Sequence, residues 1–187
     1  LQTGLFLLPG GVLMGVAAPF VGRLFDRNGP VPLTTIGASL IALILWRFST
    51  IGAETPVPLL LGYHLLLSSG MALLFTPLMT TGMNPLPRRL YSHGSAVMST
   101  LQQVGGAIGV ALLVTVMTSR AASLGATVAP GLAQAAGLRT AFGVGAVCAL
   151  AAALLTLLLR RVEPDEGERA AEPGAAREVG ERAVPAH

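Results

Sequence analysis

Long stretches without charged residues organise this chain. Arg, Asp and Glu are absent from residues 1–22, 28–46, 55–87, 90–119, 121–138 and 140–159. A helix of about 20 apolar residues crosses the roughly 30 Å hydrocarbon core of a bilayer. The apolar runs lack the alternation that marks the strands of a membrane barrel, so they predict helices. Five membrane spans are predicted, at residues 4–22, 31–48, 58–80, 95–118 and 138–159.

The stretch 121–138 is also free of charge, but its composition differs from that of the spans. It is rich in Ala, Ser and Thr, and it contains Gly125, Pro130, Gly131 and Gly137. Gly and Pro are the residues that most often interrupt regular structure, so we expect a loop here, with room for a short surface helix.

Composition supports a membrane protein rather than a soluble domain. The chain of 187 residues is 52% hydrophobic and 11% charged, whereas soluble domains carry about 25% charged residues. The fold class predicted for residues 1–159 is therefore an all-α transmembrane bundle. Residues 160–187 concentrate acidic and basic residues with almost no large apolar side chains. Such a segment cannot bury enough surface to order itself, so we predict a disordered tail, interpreted as a solvated end or a partner-binding segment.

The arginines predict how the spans are oriented. The odd-numbered connections and the tail carry the larger set, Arg23, Arg27, Arg88, Arg89, Arg160 and Arg161. The opposite side carries Arg47, Arg120 and Arg139. Because cytoplasmic loops are enriched in basic residues, the first side and the carboxyl terminus are predicted to be cytoplasmic. The pI of the sequence is about 10.0, but its basic residues form no stripe, so we expect no nucleic-acid partner.

Sequence motifs for catalysis are missing. The chain lacks an HExxH pattern and a phosphate-binding Gly-Lys loop, and its only cysteine is Cys148. A single cysteine excludes a disulfide framework and a Cys-based metal site. We therefore expect no enzymatic activity, no catalytic residue, no metal and no cofactor, and we interpret Cys148 as inert packing.

Polar residues inside the predicted spans are the strongest functional lead, because an unpaired polar group in lipid is costly. Ser69 and Thr76 lie on one stripe of span three, and Gln102 and Gln103 lie in span four. Two interpretations stay open: hydrogen bonds between helices, or the lining of a water-filled path or substrate cavity. For His64 the alternatives are placement at the membrane interface and a role in a proton relay.

Small residues recur four apart in three spans and predict close helix packing, which substitutes for the hydrophobic effect within a bilayer. They are Gly11 and Gly15, Gly105 and Gly109, and the series Gly145, Ala149 and Ala153. Ordinary bundle packing explains them, and a sliding interface between spans one and four is the alternative. No Asp or Glu lies within any predicted span.

The segment after span one resembles a known signature. It reads Gly22-Arg23-Leu24-Phe25-Asp26-Arg27-Asn28-Gly29 and is similar to the short cytoplasmic loop between adjacent helices in the major facilitator superfamily. The resemblance implies that Gly22, Arg23, Asp26, Arg27 and Gly29 form a cytoplasmic gate loop. The two glycines permit a tight turn, and Asp26 is expected to accept backbone donors of the next helix and to pair with an arginine.

Further blocks resemble the fourteen-helix drug:proton antiporters of EmrB/QacA type. These blocks are Leu7-Leu8-Pro9-Gly10-Gly11, Thr76-Pro77-Leu78, Asn84-Pro85-Leu86-Pro87, His93-Gly94-Ser95-Ala96 and Thr100-Leu101-Gln102-Gln103-Val104-Gly105-Gly106-Ala107-Ile108-Gly109. The resemblance implies the last five helices of such a transporter, with span three at the central cavity and spans one and four facing the other half.

The resemblance also implies the function and the partners. The expected activity is proton-coupled export of amphipathic small molecules by alternating access, in the cell membrane of a bacterium. The expected partners are the lipid bilayer, the N-terminal transporter helices that precede this chain, the substrates and protons. A five-span scaffold or regulatory subunit that transports nothing is the alternative hypothesis.

Overall fold

The computed structural model describes residues 2–52, 55–125 and 128–157. This part of the chain is all-α, with five long helices and a short 3₁₀ turn at Arg88–Leu90. The helices are α1 (Gln2–Asn28), α2 (Pro30–Ser49), α3 (Val57–Met83), α4 (Tyr91–Leu124) and α5 (Pro130–Leu157). All five are long and apolar enough to cross a membrane. The predicted tail at residues 160–187 lies outside the described residues.

The connection between α1 and α2 is a single residue, Gly29. Its φ of 76° and ψ of 179° lie in a region of backbone conformation that is open essentially to glycine alone. The Gly29 N–H donates to the carbonyl oxygen of Phe25 at 2.8 Å, and Pro30 then begins α2, where its missing N–H is tolerated. The predicted loop over residues 22–29 is therefore wrong, because residues 22–28 are helical.

The connection between α4 and α5 is also shorter than predicted. Helix α4 continues to Leu124, and α5 already begins at Pro130. The prediction of a loop over residues 121–138 is thus wrong for its second half. Pro130 starts a helix rather than breaking one, and Gly137 is buried where a side chain would collide with the Met117 backbone.

The helices are neighbours in the order α1, α3, α2, α5 and α4, with smaller contacts between α1 and α2 and between α3 and α4. Val21, Leu33 and Ala72, from three different helices, form a buried cluster. Among the described residues, α2 contributes the most buried positions and α4 contributes none. Helices α1 and α4 therefore form the two open edges of this row.

Glycine allows the closest helix crossing, but not at the positions that the sequence indicated. An added Cβ at Gly37 of α2 would lie 2.8 Å from the carbonyl oxygen of Gly70 on α3, so only glycine fits this crossing. In contrast, an added Cβ would meet no described neighbour within 4 Å at any of the predicted positions in α1 and α4, namely Gly11, Gly15, Gly105 and Gly109.

At the predicted small-residue positions of α1 and α4, no described helix packs closely, so their packing stays a prediction that concerns helices outside the described residues. Helix α5 differs, since Ala153 is buried and Gly145 lies at ordinary contact distance from Leu45 and Leu113. The alternative, a sliding interface between spans one and four, is not formed among the described residues, because α1 and α4 stand at opposite ends of the row.

Candidate functional site

Helices α3 and α4 come together close to their own connection. An added Cβ at Gly82 of α3 would lie 3.0 Å from Met98 Cε of α4, and one at Gly94 would collide with Leu86 in the connection. Beyond this end, α4 packs mainly on α5, while α3 packs on α1 and α2. The two helices that carry the predicted polar residues are thus neighbours at one end, and α4 keeps its remaining faces exposed.

Ser69 and Thr76 lie on α3, seven residues apart, which corresponds to about 10 Å along the helix axis. Both are half-buried. The Ser69 hydroxyl donates to the carbonyl oxygen of Leu65 at 2.9 Å, and the hydroxyl of Thr80 donates to the carbonyl oxygen of Thr76 at 3.0 Å. Because the Ser69 hydrogen is used within the helix, its oxygen faces a ligand only as an acceptor.

Gln102 and Gln103 lie on α4 and are both exposed. Neither side-chain amide forms a hydrogen bond with a described residue, and none joins them to Ser69 or Thr76. Each amide offers two donors and an acceptor. The arrangement therefore leaves a pair of amides on an apolar helix surface, available to a substrate, to water or to another part of the protein.

The charged residues of the predicted gate lie on the last two turns of α1. Arg23, Asp26 and Arg27 are all exposed, and Asp26 forms no ion pair with a described residue. The start of α2 has no side-chain cap, so the predicted bond from Asp26 to backbone donors is not formed. The reason is local, because Pro30 and Pro32 lack the N–H groups that such a cap would need.

The two glycines of the signature differ in their roles. Gly29 makes the turn, whereas Gly22 lies inside α1, and an added Cβ there would meet no described atom within 4 Å. Asp26 lies near the carboxyl end of α1, where a negative charge is disfavoured by the helix dipole and Arg27 is favoured. The signature therefore presents exposed charges on a rigid helix end rather than on a flexible loop.

A buried contact between α1 and α3 was not predicted. An added Cβ at Gly10 would collide with the imidazole of His64 and would lie 2.6 Å from Ser68 Oγ. The Ser68 hydroxyl donates to the carbonyl oxygen of His64 at 3.0 Å. The imidazole of His64 on α3 therefore packs against α1 at Gly10. Gly10, in the Leu7–Gly11 block, was the residue that could have indicated this contact.

Arg139 was also missed as a structural residue, because it entered the sequence analysis only as a charge. Its Nε donates to the carbonyl oxygen of Ile51 at 2.5 Å, and its Nη2 donates to that of Thr50 at 3.4 Å. These carbonyls follow the carboxyl end of α2, where a basic side chain is favoured by the helix dipole. Arg139 thus fixes the end of α2 to α5.

A comparison with protein families decides what this helical row belongs to. Residues 1–110 match the family model described as Major Facilitator Superfamily. The chain belongs to the Major Facilitator Superfamily. The predicted fold class, the membrane-spanning part of a transporter of this superfamily, is confirmed, and so is the superfamily that the sequence motifs indicated.

Individual relatives support the same family. The chain is 41% identical over 162 residues to an uncharacterized MFS-type transporter, YcnB, of Bacillus subtilis, covering 86% of this chain and 34% of the relative. It is 36% identical over 170 residues to the lincomycin resistance protein LmrB of Bacillus subtilis, covering 87% of this chain and 36% of the relative. It is 32% identical over 120 residues to the multidrug resistance protein B homolog of Mycobacterium tuberculosis (strain ATCC 25618 / H37Rv), covering 63% of this chain and 22% of the relative.

The chain covers only part of the relatives that it matches. It spans about a third of the length of the Bacillus relatives. No solved structure matches the chain at a significant level. The superfamily and the five apolar helices together identify a multi-pass membrane protein, for which a lipid bilayer is the fitting environment.

Proposed function

We propose that this chain is the C-terminal part of a proton-coupled multidrug exporter of the fourteen-helix EmrB/QacA type, working by alternating access in a bacterial cell membrane. The observation that carries the proposal is the similarity to LmrB over 87% of this chain. The carboxyl terminus lies in the cytoplasm, as the arginine distribution predicts. The proposed substrates are amphipathic small molecules.

The polar residues of α3 and α4 supply this part's contribution to the substrate path. Ser69 and Thr76 are half-buried on α3, and Gln102 and Gln103 are exposed on α4. A wide apolar surface with few fixed polar groups favours broad specificity, because adaptable contacts accept different shapes. The amides of the two glutamines orient a substrate through its polar groups, while the apolar surface contributes most of the contact area.

The charged end of α1 forms one half of a cytoplasmic gate. Arg23, Asp26 and Arg27 are exposed beside the turn at Gly29, so the N-terminal helices can pair with them in one state and release them in the other. Alternating access requires such a reversible contact between two rigid halves. The rigid one-residue turn keeps the charges in a fixed place relative to α2.

The proton-binding carboxylate is proposed to lie in the N-terminal helices. Among the described residues Asp26 is the only acid, and it is exposed near the carboxyl end of α1. A carboxylate that carries protons is usually placed in the membrane interior, facing the bundle or a cavity. This chain therefore contributes to the substrate path and the cytoplasmic gate, while the N-terminal helices contribute the proton coupling.

The test uses the full-length protein, expressed in a drug-sensitive bacterium with its own exporters deleted. The unchanged protein should raise resistance to several amphipathic drugs, lincomycin among them, and an ionophore that collapses the proton gradient should abolish export. Resistance equal to that of the empty vector across the panel, at a normal membrane level of the protein, would contradict the proposed function.

The proposed site is tested by a substitution at Gln103. Gln103→Leu should lower export of some drugs several-fold at an unchanged membrane level, because an oriented polar contact is lost. Val97→Leu is the control, since Val97 is an exposed residue on the same helix, about 120° around the helix axis from Gln103. Unchanged export of every drug by Gln103→Leu and by Gln102→Leu would remove both glutamines from the site.

A further inference from the structure

A groove runs along the outside of the contact between α2 and α5. Its volume is about 560 Å³, which falls within the range of roughly 300–1,000 Å³ that is typical of small-molecule sites. Its lining changes in character along its length, from polar to apolar, and includes Trp46, Ser49, Arg139, Thr140, Val144 and Val147.

The polar end of the groove combines one cation with two hydroxyl oxygens. Nε and Nη2 of Arg139 are held by the carbonyl oxygens of Ile51 and Thr50. Among the described residues no hydrogen bond uses Nη1. The guanidinium is thus fixed in place before any ligand arrives, which lowers the entropy cost of binding an acceptor.

The two hydroxyl groups can serve a ligand only as acceptors. Ser49 donates to the carbonyl oxygen of Trp46 at 2.6 Å, and Thr140 donates to that of Ala136 at 3.0 Å. Each hydroxyl has one hydrogen, which is already used, and its oxygen keeps acceptor capacity. A ligand that matches this end therefore carries an acceptor for the arginine and hydroxyl donors for Ser49 and Thr140.

The remaining length of the groove is apolar and open. Val147 is 62% exposed, and Cys148, which also lines the groove, is exposed. The interpretation of Cys148 as inert packing is therefore wrong. Helix α5 is long and apolar enough to cross a membrane, and an apolar surface of this kind suits the hydrocarbon chains of lipids.

Trp46 marks the depth of the polar end. It lies one turn before the end of α2 and is 58% exposed. Trp is enriched at the boundary between hydrocarbon and water, which is also where lipid phosphates lie. The groove thus spans the boundary, with its cation at headgroup level and its valines at acyl-chain level.

The net charge at this end of the bundle favours a lipid with a negatively charged headgroup. The arginines assigned to this side are Arg47 on α2, Arg120 on α4 and Arg139 on α5. The sequence of this side has one acid, Glu54, so three positive charges stand against one negative charge. A net positive surface favours anionic lipids by roughly 1 kcal/mol per basic residue.

We propose that the α2–α5 groove binds an anionic glycerophospholipid with free headgroup hydroxyls, of the phosphatidylglycerol type. Its phosphodiester accepts from Arg139, its glycerol hydroxyls donate to Ser49 and Thr140, and one acyl chain lies along Val144 and Val147. Phosphatidic acid has the charge without the hydroxyls, and phosphatidylcholine has neither. The site lies on a surface that the described helices leave open, and it does not depend on the proposed transport function.

The test uses Trp46, which is the only tryptophan in the chain. The full-length protein, with every other tryptophan replaced by Phe, is reconstituted in phosphatidylcholine vesicles. Brominated-chain phosphatidylglycerol, phosphatidic acid or phosphatidylcholine is then added at equal mole fractions, and quenching of Trp46 fluorescence is measured. Phosphatidylglycerol should bind about fivefold more tightly than phosphatidylcholine, and more tightly than phosphatidic acid. Equal quenching by all three lipids would overturn the proposal.

Variants separate the parts of the site. Arg139→Gln should abolish the preference for both anionic lipids, whereas Arg120→Gln, an exposed arginine on α4, should keep it. The double variant Ser49→Ala and Thr140→Val should bind phosphatidylglycerol and phosphatidic acid equally while keeping the preference over phosphatidylcholine. If Arg139→Gln fails to fold, the double variant decides, and a retained preference for phosphatidylglycerol over phosphatidic acid overturns the proposal.

Discussion

The hydroxyl oxygens of Thr35 on α2 and Thr156 on α5 lie 2.9 Å apart, at a site where Thr156 is only 7% exposed. Thr156 also donates to the carbonyl oxygen of Ala153 at 2.7 Å. Because a hydroxyl has one hydrogen, Thr35 is the donor of the bond between the helices. This bond links α2 and α5 at a point where both are shielded by packing.

Replacing Thr156 by Val should therefore lower the free energy of unfolding of the full-length protein by about 1 kcal/mol, since it leaves the Thr35 donor without its acceptor. Thr118→Val is the control, because the exposed Thr118 hydroxyl donates only within its own helix, to Val114 and Thr115. Thermal unfolding in detergent measures both. Equal stability of the two variants would show that the Thr35–Thr156 bond contributes nothing.

The crossing of α2 and α3 should tolerate no side chain at Gly37. An added Cβ there would lie 2.8 Å from the Gly70 carbonyl oxygen and 3.0 Å from Leu73 Cβ. Gly37→Ala should cost about 1–3 kcal/mol, because the helices must move apart. Gly131→Ala is the control, since an added Cβ at Gly131 would meet no described atom within 4 Å. A melting temperature lowered equally by both variants would refute this crossing.

The turn between α1 and α2 should require glycine for its backbone conformation. Gly29→Ala forces an L-residue to adopt a φ of 76°, at a cost of about 1–3 kcal/mol. Gly125→Ala is a matched control, because Gly125 also ends a helix but has a φ of −62°. The amount of folded protein in the membrane and its melting temperature measure the effect. A loss in Gly125→Ala as large as that in Gly29→Ala would contradict a specific role for the Gly29 conformation.

The open surface of α4 should become a contact surface in the full-length transporter. An added Cβ at Gly105 would meet no described atom within 4 Å, and close packing on small residues drives helix association in lipid. Gly105→Leu should therefore reduce transport and thermal stability of the full-length protein. Val110→Leu, at a position about 140° around the helix axis, should change neither. Full transport by Gly105→Leu would show that this surface stays uncovered.

The sequence was sufficient to predict five helices that are long and apolar enough to cross a membrane, because hydrocarbon imposes one strong requirement on helix length and polarity. The sequence did not predict the connections, because there a single residue determines where one helix ends and the next begins. Gly29 reverses the chain alone, and Pro130 starts a helix in a segment that its Gly and Pro content assigned to a loop. Local composition could not distinguish these cases, because both residues also occur in longer loops.

The site was predictable only as a set of residue types. The sequence identified Gln102 and Gln103 as unusual within an apolar helix, but it could not indicate a partner, and neither amide forms a hydrogen bond with a described residue. It missed Arg139, whose hydrogen bonds reach residues 88 and 89 positions away along the sequence. Contacts of this kind depend on which helices become neighbours, and hydrophobic patterning alone does not specify that order.

The one-residue reversal at Gly29 also constrains how the protein is made. With a single residue between them, the folded α1 and α2 stay joined end to end. Neither helix can drift away from the other in the lipid once both have formed, so the two are expected to settle in the membrane as one hairpin unit.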